Sequence, residues 1–412
     1  MRILVVSQYF WPESFRINDL VVALNHRGHD VTVLTGVPNY PVGSIFPEFH
    51  SAPEKFRRYE GSDVIRVPLL PRGHGSVRLA LNYLSFIISA GIGALWKLRT
   101  RDFDLIFVYQ PSPITSCLPA IAFGRLKGLP VVLWTLDLWP ETLRATGIVR
   151  SPHLLAAVGR MVSFIYRHCA LILGQSRSFE ENVARYAVST SKFRYFPQWS
   201  EPLFYEGGTC HEVAPEMKPY HETFNVLFAG NVGESQDFPA ILSAAEQLKN
   251  DARIRWIIVG DGRAAESVRS QILDRGLQDR VVMLGRYPIE RIPSFFRAAG
   301  ALLVTLAKDP VFAMTIPGKV QTYLASGRPL VAMLDGEGAR VIAESGAGLV
   351  AASGDSVGLA EAVRLLADMT PAERDAMGTS GRKYAASEFG RDHLLLQLET
   401  YMNEVCTQKS ST

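Results

Sequence analysis

Thr315-Ile316-Pro317-Gly318-Lys319-Val320-Gln321-Thr322-Tyr323-Leu324-Ala325-Ser326-Gly327-Arg328-Pro329-Leu330-Val331-Ala332-Met333 decides how this chain folds. Pro317 suits a first helical position, Gly327 suits a helix end, and residues 329–333 form a short apolar strand. A short helix running straight into a buried strand is half of a β-α-β unit. The unpaired N–H groups of a helix N-terminus attract anions, and Lys319 adds a full positive charge in that first turn. Alone, the lysine reads equally well as a surface residue on an ordinary unit. The rest of the sequence separates the two readings.

Working backward, the same alternation fills the second half of the chain. Residues 225–228, 255–259, 281–284, 301–305, 330–333 and 348–351 read as strands, with helical patterns such as 239–249 and 264–274 between them. The first half repeats the scheme, with strands at 3–6, 30–34, 64–67, 105–109, 131–135 and 171–173 and an amphipathic helix over 18–24 ended near Gly28. Successive β-α-β units imply parallel sheets covered on both faces, with ligands at the C-terminal strand ends. The expected architecture is α/β: two Rossmann-like doubly wound domains facing a cleft, residues 1–205 and 223–388. Residues 206–222 read as a linker, and 389–412 as a helix crossing back to the first domain.

Composition bounds the function. The chain has 412 residues, 47% hydrophobic and 20% charged, which fits a soluble protein of at least two domains. Cys117, Cys169, Cys210 and Cys406 lack metal or disulfide-framework spacing, which suits a reducing cytosol. No signal-peptide pattern precedes the strand at 3–6. His26, His29 and His168 read as structural. The net charge of +3 divides into +8 for residues 1–205 and −5 for the remainder. A basic first half favours an anionic partner such as a membrane surface or phosphorylated substrate, and no motif points to nucleic acid. Residues 79–96 are uncharged and mainly apolar, with Lys97, Arg99 and Arg101 behind them. At about 27 Å the run is marginal for a bilayer, so core, interfacial and spanning helices all stay open.

Four loops follow strand ends in the second half. They are 229–238 (with Gly230, Asn231 and Gly233), 260–263 (with Gly262), 285–288 (with Arg286 and Tyr287) and the Lys319 loop. Several glycine-bearing loops in register favour a nucleotide site over chain turning alone. In the first half, Trp-Pro-Glu occurs at 11–13 and 139–141, and Asp137 precedes the second copy. Glu13 and Asp137 are the candidate acids for acceptor binding or proton transfer, against the plainer reading of helix-start carboxylates.

In order, Gln8-Tyr9-Phe10-Trp11-Pro12-Glu13, Arg16-Ile17-Asn18-Asp19, Asp137-Leu138-Trp139-Pro140-Glu141, Gly230-Asn231-Val232-Gly233 and Thr315–Lys319 with Gln321 and Tyr323 resemble the retaining glycosyltransferases of family 4, of GT-B fold. The resemblance leans to the N-acetylfucosamine-type transferases of bacterial O-antigen and capsule assembly. It implies a UDP-sugar donor, no required cofactor or metal, and a lipid-linked saccharide acceptor. It implies a cytoplasmic enzyme, peripheral on the inner face of the bacterial cytoplasmic membrane. Gly230, Gly233 and Lys319 then contact the diphosphate, residues 285–288 the base, and Gln321 or Thr322 the ribose. The common Glu-x7-Glu of the family is absent, which leaves Glu337 as a candidate for the donor sugar and suits a less polar donor, such as an N-acetylated 6-deoxyhexosamine. A GT-B-like sugar epimerase and a non-catalytic nucleotide-sugar binder are the competing readings.

Overall fold

The structure is a computed structural model that describes residues 1–410 apart from 42, 74, 188 and 208–211. Cys210 and part of the expected linker lie outside the described residues. The chain divides into two units, Met1–Pro197 with Leu394–Thr412, and Gln198–His393.

The first unit holds β1 (Arg2–Val6), β2 (Asp30–Gly36), β3 (Arg58–Tyr59), β4 (Ser62–Val67), β5 (Leu105–Gln110), β6 (Val131–Thr135), β7 (Leu171–Gly174) and β8 (Phe193–Tyr195). They form one sheet in the order β3-β4-β2-β1-β5-β6-β7-β8, parallel except for the β3–β4 pair. Between strands run α1 (Arg16–His26), α2 (Ser76–Lys97), α3 (Cys117–Lys127) and α4 (Pro152–His168). β5 and β6 are buried at every position, the pattern of a strand covered on both faces.

The second unit has β9 (Phe224–Ala229), β10 (Ile254–Val259), β11 (Val281–Gly285), β12 (Ala301–Thr305), β13 (Leu330–Met333) and β14 (Gly348–Ala351). Their order, β11-β10-β9-β12-β13-β14, puts the topological switch between β9 and β12. Alternation along β9 explains the double winding. Val226 and Phe228 enter a core with Ile241, Leu242 and Trp256. Leu227 and Ala229 enter the opposite core with Leu302, Tyr323 and Leu324. Each fully buried side chain of this size contributes roughly 1.5–3 kcal/mol, so both faces have to be covered. Among the covering helices are α5 (Phe238–Gln247), α6 (Gly318–Ser326) and α7 (Gly336–Ser345). Pro317 proves to be the cap residue outside α6, with Gly318 as first helical residue. The helix α8 (Arg391–Ser410) returns to the first unit, where Glu399 accepts two hydrogen bonds from Arg27 (2.9 and 2.6 Å) and pairs with His29 at 2.8 Å.

One expected boundary shifts, and the apolar helix takes a mixed place. The second unit begins at Gln198, and Ala214 and Met217, placed in the linker by composition, are buried in its core. α2 is half core and half surface. Asn82, Phe86, Ala90 and Ala94 are buried, whereas Ile88 and Trp96 are 54% and 83% exposed.

Candidate functional site

In the second unit the geometry centres on Lys319. Its Nζ lies 3.5 Å from the centroid of the Phe228 ring and donates a 2.6 Å hydrogen bond to Gln236 Oε1. Among the described residues no carboxylate pairs with it. Burial without a countercharge pushes its pKa down to about 7 from 10.5. The lysine fits because residue 230 has no side chain. A Cβ at Gly230 would stand 2.7 Å from Lys319 Cε, and the glycine holds φ +140°.

The surrounding loops lock one another. Val232 N–H donates to Asp261 O (3.0 Å), Ala264 N–H to Val232 O (3.1 Å) and Gly260 N–H to Gly285 O (2.7 Å). These bonds string the ends of β9, β10 and β11 together. A Cβ at Gly262 would lie 2.3 Å from Val232 O, so this glycine serves the approach of one loop to another. Gln236 is pinned in turn. Thr305 Oγ1, at the end of β12, donates to its carbonyl (2.6 Å), and Ala307 N–H donates to Ser235 O (2.9 Å). Tyr323 clasps α6 to the end of β9, its hydroxyl donating to Ala229 O and accepting from Ala229 N–H. The N–H groups of Asn231 and Gly233 donate to no acceptor among the described residues. The two unused donors follow Gly230 in its loop, and a Cβ at Gly230 would stand 3.2 Å from Lys319 Nζ, so the loop that carries them meets an ammonium without a carboxylate partner, an arrangement suited to an anion.

The other expected donor residues divide. Gln321 is buried, and its amide nitrogen, correctly oriented, donates to Pro317 O (3.0 Å) and Gly318 O (3.2 Å), closing the first turn of its own helix. Thr322 is half-buried beside it. Arg286 is exposed, while the Tyr287 ring lies tilted against Phe295 (centroids 4.7 Å apart) under Arg291, which forms a two-bond pair with Glu216. Glu337 is buried in the first turn of α7, paired with Arg340 at 3.0 Å. The next residue, Gly338, faces Pro317, since a Cβ there would lie 3.1 Å from the proline ring.

In the first unit Glu13 and Asp137 part company. Glu13 is 3% exposed, and its carboxylate accepts backbone N–H bonds from Phe10 (3.1 Å), Asn39 (2.8 Å) and Tyr40 (2.7 Å). Burial raises its pKa while those bonds oppose the rise. It staples two loops, with three of its acceptor positions taken by backbone N–H groups. Glu141, the matching acid of the second Trp-Pro-Glu, accepts instead from Tyr186 at 3.0 Å. Asp137 is half-buried. Burial raises its pKa, opposed by side-chain hydrogen bonds from Thr142, Trp139 and Ser112. The Trp139 bond measures 3.1 Å.

Sequence reasoning missed the neighbours of Asp137. Tyr83, on α2, lies 6.0 Å from the Trp139 ring and interacts electrostatically with Asp137 and Arg72. Arg72 bonds the Tyr9 hydroxyl and covers the Tyr40 ring at 5.5 Å. Asn82, buried and bonded to Gln8 (2.7 Å) and Leu70 O (2.6 Å), turns this part of α2 toward the strand ends. The available signal was the polar pair Asn82-Tyr83 inside an apolar run.

With this geometry in place, comparison with known proteins gives consistent results. Residues 14–199 match the glycosyl transferase 4-like domain and residues 223–369 match glycosyl transferases group 1. The putative colanic acid biosynthesis glycosyl transferase WcaI of Escherichia coli is 24% identical, over 79% of this chain and 82% of that protein. The probable glycosyltransferase WbjE of Pseudomonas aeruginosa is 25% identical, over 75% of this chain and 74% of its own length. Among solved structures, Anabaena Alr3699/HepE in complex with UDP and glucose superposes with a TM-score of 0.68, covering 98% of this chain and all of that one at 16% identity.

Proposed function

The chain is a glycosyltransferase built from a 4-like domain and a group 1 domain in the GT-B fold, and from that premise we propose that it moves a sugar from a UDP donor onto a polyprenyl-diphosphate-linked saccharide. One observation carries the donor half. The Lys319 ammonium has no carboxylate partner among the described residues and packs on Gly230, in the loop whose Asn231 and Gly233 N–H groups have no acceptor among the described residues, at a topological switch point. Fixed positive charge and helix N-terminal donors stabilise a departing diphosphate without reorganisation. The UDP in the HepE complex supports a uridine diphosphate donor, and the name of WcaI, a putative colanic acid biosynthesis glycosyl transferase, supports work on a polysaccharide.

In this reading the second unit binds the donor. Lys319, Asn231 and Gly233 take the diphosphate, Arg286 and Tyr287 the base, and Thr322 the ribose side. Glu337 faces the donor sugar, an N-acetylated 6-deoxyhexosamine. The first unit binds the acceptor around Asp137, at the inner face of a bacterial cytoplasmic membrane. The acceptor hydroxyl oxygen attacks the anomeric carbon on the face from which UDP departs. Its proton passes to the leaving diphosphate, so the configuration is retained and no enzymic nucleophile is used. Asp137 orients the hydroxyl. The diphosphate charge is met by Lys319 and N–H groups, so turnover survives chelation of divalent metals.

The test is UDP release by purified protein given UDP-sugars with and without a membrane lipid extract, repeated in EDTA. Release only with the extract, and equally in EDTA, is the expected result. Sugar interconversion without extract identifies an epimerase, and binding without turnover a non-catalytic nucleotide-sugar protein; either overturns the reading.

A further inference from the structure

α2 carries two faces with opposite fates. Asn82, Phe86, Ala90 and Ala94 pack inward on the sheet. Val77, Leu81, Leu84, Ile88, Ile92 and Leu95 follow one another at spacings of three and four residues, which is one side of a helix, and all are exposed. Trp96, 83% exposed, ends the stripe, and the exposed Lys97 and Arg99 follow. Lys127 at the end of α3 donates to Arg99 O (2.9 Å), which sets the exposed Leu126 beside this end of α2. Such a stripe is larger than scattered surface apolars need.

Charge decides what covers it. Between Asp63 and Asp137 the sequence has eight Lys/Arg and two acids, Asp102 and Asp104, and both acids pair with Arg2. α2 itself contains no acidic residue. An apolar stripe with an aromatic end and a basic border complements the headgroup boundary of an anionic bilayer. By length and composition residues 77–97 also pass as a membrane span. Spanning would strip Phe86 from the core and Asn82 from its bonds to Gln8 and Leu70.

We propose that α2 lies in the plane of an anionic lipid bilayer, its Val77–Trp96 stripe in the acyl boundary and Lys97, Arg99 and Lys127 on the headgroups. The inference deepens the acceptor half of the proposed function. Tyr83, on the same helix, faces the Asp137 cluster, so seating α2 brings the acceptor site to the depth of a lipid-borne diphosphate, with Arg72 beside it.

The experiment is co-flotation of the full chain with phosphatidylcholine vesicles, with and without phosphatidylglycerol, for wild type and the Ile88→Glu/Ile92→Glu double variant. Both positions are exposed, and retained UDP binding shows that the protein is folded. Wild type should float with the anionic vesicles, less so at high salt, and the double variant should lose at least about tenfold in partitioning. Transfer to a short-chain, water-soluble acceptor should be unchanged in the variant. Equal flotation of the two proteins overturns the seat. A wild-type dimer that the variant dissolves, without flotation, shows a second copy on the stripe and also overturns it. Flotation as expected with no transfer to any acceptor leaves the seat standing and sinks the proposed function instead.

Discussion

Binding of UDP should draw a proton from solution onto Lys319. Burial against Phe228, with only the Gln236 amide as partner, holds the lysine at a pKa of about 7, against an ordinary 10.5. Near pH 8 roughly a tenth of the free protein carries the charge. A diphosphate beside the ammonium favours the charged form, so binding should take up about 0.9 proton per UDP near that pH and little near pH 6. Titration calorimetry in two buffers of different ionisation enthalpy reads this number directly. The Lys319→Met variant supplies the uptake that belongs to UDP and the rest of the protein, and it should bind UDP more than tenfold more weakly. The same shift has a sign for stability. The folded pKa lies below the unfolded one, so this group's contribution declines as pH falls from about 10.5 to about 7 and is level below that. Identical proton uptake and affinity in wild type and variant would refute the placement of the diphosphate.

Three further outcomes follow from the contacts. Gly230→Ala puts a Cβ 2.7 Å from Lys319 Cε at φ +140°, so donor KM should rise at least about tenfold with the fold intact by circular dichroism. Glu13→Gln leaves at least one of the three N–H groups that the carboxylate accepts without its partner, and chemical denaturation should show a loss of about 1–3 kcal/mol. A variant that keeps its stability but loses acceptor turnover would return Glu13 to the acceptor role. Asp137→Asn should lower kcat with UDP affinity unchanged. Since burial raises the Asp137 pKa, the wild-type rate should fall on the acid side above the ordinary carboxylate range, and that limb should vanish in the variant.

How much of this is legible in sequence depends on how far apart the interacting residues lie. The central parallel strands are apolar runs because both faces are covered, and β6, β12, β13 and β14 begin and end where their apolar runs do. β3 and β8 have two and three residues, with charged members, and sit at sheet edges, so no apolar run announces them. Lys319 is legible because its anion-binding position is local to one helix start. Its partner Gln236 is 83 residues away and joins it only through the fold. Glu13 shows the opposite limit, since the same Trp-Pro-Glu spacing serves a carboxylate filled by backbone N–H groups and one bonded to Tyr186. Arg72 and Tyr83 were hidden because hydropathy dominates the reading of their segment.

The central claim is acceptor-dependent transfer from a UDP-sugar with retention, and the product itself tests it most directly. Purified protein, an α-linked UDP-N-acetyl-6-deoxyhexosamine and a polyprenyl-diphosphate saccharide should yield one UDP per sugar transferred, with an α linkage by NMR. A β-linked product, or UDP released at the same rate without the acceptor, would contradict it.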